Sequence, residues 1–115
     1  MSDSVFEEIR AERRRQDEKW DEQNHPMLGK HRNYVLANEN FPSELALKET
    51  LSIHKTRNET DKRGWFDILI EEVCEAFLET EPEKQREKMV QAAAVAVAII
   101  ECLDRRINSE GKRAS

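Results

Sequence analysis

The segment Glu71-Glu72-Val73-Cys74-Glu75 sets acids at 71, 72 and 75 inside an apolar, helix-periodic stretch. On a helix, side chains three or four apart share a face, so Glu72 with Glu75 and Glu71 with Glu75 repel by roughly 0.2–0.5 kcal/mol. A cation removes that repulsion. Hard divalent ions such as Mg²⁺ take carboxylate oxygens, keep several waters and act where substrate phosphates complete the shell, so the chemistry in view is that of phosphate esters. The competing reading is a solvated acidic face. Glutamate fills 18 of 115 positions, and a Glu-Glu-x-x-Glu spacing then arises by chance about 0.4 times in such a chain. The spacing alone therefore identifies nothing, and its surroundings must decide.

The elements that position these acids read as helices throughout. Few Gly or Pro residues interrupt the chain, and no stretch alternates apolar with polar long enough for a strand. The fold class expected is all-α, a four-helix bundle in a single domain over 1–115. A first helix is predicted from about Val5 to Trp20, with Ser4 and Glu7 as a capping box and a thin stripe of Val5 or Phe6, Ile9, Arg13, Gln16 and Trp20. Residues 21–42 lack periodicity and read as a long connecting loop, a length that usually carries function. Ser43 caps a second helix to about Lys55 that buries Leu45, Leu47, Leu51 and part of Ile53. The third helix, about Trp65 to Thr80, carries a core stripe of Phe66, Leu69, Ile70, Val73 and Phe77, with the glutamates around its other side. Pro82 suits the first turn of a fourth helix, so helices three and four form a tight antiparallel hairpin. The fourth helix is apolar on every side from Ala92 to Ile100. So small a domain cannot cover such a helix alone, which predicts a homodimer or a dimer of dimers. The charged tail 108–115 reads as frayed.

Composition narrows the class. With 24 acidic against 19 basic residues and a formal net charge of -5, the chain lacks the basic excess of a duplex nucleic-acid binder. Arg13-Arg14-Arg15 is flanked by Glu12, Asp17 and Glu18 and reads as a solvated, ion-paired helix face rather than a phosphate clamp. Cys74 and Cys102 lie in apolar patterns without zinc-type spacing and read as buried thiols. The chain opens with charge rather than an apolar run, and Met89–Leu103 falls short of the roughly 20 residues that span a bilayer. A cytoplasmic protein with no membrane contact is the expectation.

Two segments carry a resemblance. The run Glu12-Arg13-Arg14-Arg15-Gln16-Asp17-Glu18-Lys19-Trp20-Asp21-Glu22-Gln23-Asn24-His25-Pro26 looks like the N-terminal signature of small MazG-like proteins common in phages and bacteria. Glu71-Glu72-x-x-Glu75, with Trp65 before it and Val90-Gln91-Ala92-Ala93-Ala94-Val95-Ala96 after it, resembles the core of the MazG-like all-α nucleoside triphosphate pyrophosphohydrolases. That resemblance implies an oligomeric four-helix fold that uses Mg²⁺, with Mn²⁺ as a substitute, to split an NTP or dNTP into monophosphate and pyrophosphate. It implies Glu72 and Glu75 as metal ligands, with Glu71 as the neighbouring acid that ligates or orients water; all three form the implied catalytic set.

The second acidic motif of that family, Glu followed three residues later by Asp, aligns here with Lys88 and Gln91. Gln91 keeps a carbonyl oxygen for a metal, and Glu87 is adjacent but turned by about 100° around the helix. Lys88 brings a positive charge that can neutralise phosphate. An alternative therefore stands beside the hydrolase: a catalytically reduced nucleotide-binding protein, acting as sensor or sequestering module. For the nucleotide, Trp20 offers a stacking face with Asn24 and His25 at the base edge, against the plainer reading that Trp20 ends a helix stripe. Arg13, Lys19, Lys55, Arg63, Lys84 and Lys88 are the cations within reach of phosphates. His31 and His54 take structural readings. Glu101 reads as a late ligand or a salt bridge at a subunit contact.

Overall fold

A computed structural model describes residues 2–27, 43–60 and 63–114. Among them the chain forms four helices and no strand: α1 (Ser2–Trp20), α2 (Glu44–Asn58), α3 (Trp65–Leu78) and α4 (Pro82–Ala114). The all-α expectation holds at that level. The part of the predicted loop at 28–42 lies outside the described residues, as does His31.

The α3–α4 hairpin organises the fold as the sequence predicts. α3 ends at Leu78 and Pro82 opens α4, whose first turn does not need the missing N–H. Gln85 Nε2 donates to the Ala76 carbonyl at 3.1 Å, and near the far end Trp65 packs with Val95, Ala98 and Cys102, so the two helices run antiparallel. α1 lies along α4 in the same direction, since Glu8 pairs with Arg86, Gln16 with the Gln91 carbonyl and Asn24 with Arg105. Asp21 turns the chain out of α1 at φ 57, a left-handed position that Asp tolerates better than most residues. The strap that follows is tied to two helices at once. Arg105 binds the Gln23 carbonyl at 2.8 Å and Arg106 the His25 carbonyl, while the Pro26 and Met27 carbonyls accept from the Trp65 and Phe66 amides at 2.8 and 3.0 Å. Those are orphan donors of the first turn of α3, satisfied here by the strap.

Several local expectations are corrected. α1 starts at Ser2, which puts Ser4 inside the first turn rather than at its cap. Ser43 does cap α2, accepting from the Ala46 amide at 3.2 Å, but α2 runs on to Asn58. α4 continues past Ile107 to Ala114, through the segment read as a tail. The α3 stripe is also different: Phe66 is 40% and Phe77 59% exposed, while Trp65, Asp67, Cys74 and Ala76 are buried. α3 is wedged between α2 and α4, and small side chains at 74 and 76 allow the close approach. Burial on this helix follows steric fit rather than the size of the apolar side chain. Likewise Leu45 is exposed, and Ala46, Leu47 and His54 are the buried residues of α2. Cys74 and Cys102 are buried free thiols, as expected.

One buried polar network joins α2 to α3. His54 Nδ1 donates to Asp67 Oδ1 at 2.7 Å, and the Gly64 amide donates to Asp67 Oδ2 at 3.0 Å. Arg57 lies 4.0 Å from the same carboxylate, and Asn58 Nδ2 donates to the Asp67 carbonyl at 2.9 Å. A fully buried carboxylate needs such partners. The structural reading of His54 is borne out by this pairing, and Asp67 supplies the partner that no spacing had announced.

Candidate functional site

α1, α3 and α4, with the end of α2, enclose a cleft of ≈ 660 Å³. Its acids are Glu71 and Glu72 from α3, Glu12 from α1 and Glu59 at the C-cap of α2. Arg15, Lys19, Lys55 and Arg63 supply cations to its walls, and Trp20 and Trp65 supply aromatic surface. This mixture follows from the sequence of α1, where Glu12, Gln16 and Lys19 stand at helical spacing on the face that an ordinary amphipathic helix would fill with apolar groups.

Glu72 is the most perturbed group of the cleft. Its carboxyl is raised to about 7, first by burial and then by the charges of Glu75 and Glu71, with Lys88 partly opposing them and Glu12 adding a little. Its Oε2 is buried without a hydrogen-bond partner. Two more buried polar atoms of cleft residues share that condition, Trp65 Nε1 and Asn58 Oδ1. Asn58 uses its amide nitrogen on Glu71 Oε2 at 2.8 Å, which holds that acid towards α2. Buried acceptors and donors without partners are uncommon in folded proteins and mark a place where a ligand, ion or water completes the set.

The residues singled out from the sequence divide. Glu71, Glu72, Gln91, Trp20 and Lys19 line the cleft. Trp20 is 54% exposed with the Lys19 ammonium 4.8 Å from its ring centroid, so its face is accessible beside a cation. Glu75 stands apart from the cleft wall and meets Lys88 at 3.8 Å. Glu87 lines a separate groove with Glu8, Glu83 and Arg86. Asn24 bonds Arg105 at 3.0 Å and Glu22 at 3.3 Å, which fixes the strap. His25 stacks edge-on against Trp65 with centroids 4.8 Å apart, and burial and Arg63 lower its proton affinity. Glu101 takes Arg13 at 2.5 Å, within the chain, and Arg13 also meets Asp17 at 2.8 Å. Of the other cations weighed for phosphates, Lys55 and Arg63 reach the cleft, whereas Arg13, Lys84 and Lys88 are absent from its lining.

Sequence reasoning missed Glu12, Arg15 and Asn58 as cleft residues. Glu12 and Arg15 pair at 2.6 Å, which satisfies the ion-paired reading of that run while still turning an acid towards Glu72. Among the described residues no group of three or more His, Cys, Asp or Glu is arranged to hold a metal ion, and no helix is long and apolar enough to cross a membrane. No family model matches the chain, and comparisons with curated proteins and with solved structures find no match.

Proposed function

We propose that the cleft binds a nucleoside or deoxynucleoside triphosphate with Mg²⁺ and hydrolyses it to the monophosphate and pyrophosphate, as the resemblance to MazG-like pyrophosphohydrolases implies. The observation that carries this reading is the convergence on one cleft of Glu72, with its raised carboxyl and unpartnered Oε2, and four cationic side chains. An acid short of partners and several cations in the same walls suit a ligand that brings both signs. A metal–triphosphate is such a ligand.

The donors fit a hard divalent ion in kind. Glu71 and Glu72 would hold it with carboxylate oxygens, and Gln91 lines the same cleft with an amide oxygen; bound there, the ion would supply charge neutralisation and polarisation of a phosphoryl oxygen. The chain does the rest. Lys19, Lys55 and Arg63 neutralise and orient the phosphates, and Trp20 offers its face to the base. Asn58 holds Glu71 in position through its amide. Partial burial of Glu72 strengthens its attraction for positive charge by excluding water.

A second reading has its own support. Lys88 meets Glu75 at 3.8 Å and Glu75 is not in the cleft lining, which favours a binder that retains nucleotide without turnover. Incubating the protein with each common triphosphate and Mg²⁺, while measuring pyrophosphate and melting temperature, separates the two. Release abolished in Glu72→Ala supports the hydrolase. Stabilisation without release supports the binder, and neither effect overturns both.

A further inference from the structure

The cleft is polarised along α3. Its wall there consists of Trp65, Ile68, Glu71 and Glu72, so Trp65 stands about 10 Å along the helix from Glu72 at roughly 1.5 Å per residue. α4 keeps the same order. Gln85 meets Ala76 and Trp65 meets Val95 and Ala98, which sets Gln91 at the level of Glu72 between them. α1 runs parallel to α4 and places Gln16 at the Gln91 carbonyl, so Trp20 lies beyond it, towards the Trp65 end. One end of the cleft is therefore carboxylate and amide, and the other is indole beside the aliphatic side chains of Val95 and Ala98.

The groups that the sequence pointed to as readers of a base edge do not serve there. Asn24 is held by Arg105 and Glu22, and His25 is not in the cleft lining. Trp65 is in that lining, is 1% exposed, and has its Nε1 buried with no acceptor. An indole N–H only donates. A triphosphate held at the acidic end extends its base towards Trp65, and the group on the far edge of that base then decides the fit. Uracil, thymine, guanine and hypoxanthine carry a carbonyl oxygen on that edge, which accepts from the indole. Cytosine and adenine carry an amino group in its place, which leaves two donors facing each other. A site with a buried donor rejects the ligand that leaves the donor unpaired.

On the reading that the cleft takes a nucleoside triphosphate, we propose that Trp65 sets its base choice, donating its indole N–H to the keto oxygen of a uracil, thymine, guanine or hypoxanthine nucleotide. Calorimetry with Mg²⁺ and the uncleavable α,β-methylene analogues of UTP against CTP, and of ITP against ATP, tests this, because each pair differs only in the exocyclic group and the ring nitrogen beside it. The keto member is expected to bind at least about tenfold more tightly, and the preference to shrink to about twofold or less in Trp65→Phe, which keeps a ring and loses the donor. A second reading leaves Trp65 intact. The chain has two tryptophans, so the indole N–H resonance that survives in Trp20→Phe belongs to Trp65, and it should move downfield with the UTP analogue and not with the CTP analogue. Equal affinities within each pair, a preference that Trp65→Phe retains, or an indole resonance that responds alike to both analogues would overturn the proposal and leave the triphosphate reading standing. Failure of every analogue to bind would overturn both.

Discussion

Asp67 and Glu72 sit on the same helix, one turn and a half apart, and their surroundings differ in kind. Asp67, 0% exposed, has a donor for each oxygen, from His54 and from the Gly64 amide. Glu72 has an orphaned oxygen, two acidic neighbours on its own helix and a third acid across the cleft. A buried carboxylate with its partners supplied by the chain holds two helices in register. A carboxylate left short of them is poised for something the chain does not contain. The α2 side of α3 is therefore structural, and the α1–α4 side is the one we propose takes a ligand.

The largest effect comes from breaking the structural side. Asp67→Ala strands His54 and the Gly64 amide, and we expect a loss of about 3 kcal/mol, on the order of 10 °C in melting temperature; a melt unchanged within about 2 °C would deny the network its role. On the functional side the same class of change acts oppositely. Glu72→Ala should lower pyrophosphate release at least about 100-fold, while melting no lower than wild type at pH 8.

That asymmetry was only partly legible beforehand. The hairpin of α3 and α4, the Ser43 cap and the acids of α3 follow from local signals, namely Pro82, a hydroxyl before an apolar run, and spacing. Glu12 was not legible, because its partner in space, Glu72, is sixty residues away and its neighbours Arg13 to Arg15 explain it as an ordinary ion pair. Asp67 was hidden likewise, since an acid in the first turn of a helix has a local explanation in the helix dipole. Phe66 and Phe77 were assigned to the core by size, whereas packing between α2 and α4 selects Cys74 and Ala76 by their smallness. Separation in sequence and steric fit are what the chain alone does not display.

Smaller effects sharpen the contrast. Lys88 lowers the proton affinity of Glu72, so Lys88→Glu should raise it further and reduce the melting temperature at pH 8 by a few degrees, roughly 2–5 °C, with Mg²⁺ reversing the loss. The pH dependence carries a definite sign. The folded Glu72 carboxyl, raised to about 7 from 4.5, binds its proton more tightly than in the unfolded chain. Its contribution is thus intact below pH 4.5 and is lost as pH rises through about 7. Glu72→Gln should remove that part of the stability profile and melt slightly higher than wild type at pH 8, with the difference vanishing near pH 4.

The central claim is that Glu72 is a carboxylate held for a cation. Carbon-detected NMR titration of its side-chain carboxyl, with and without millimolar Mg²⁺, tests it directly. A midpoint near 7 is expected in the free protein, falling by about one unit or more when Mg²⁺ is present. An ordinary midpoint near 4.5, or a raised one that Mg²⁺ leaves in place, would contradict it.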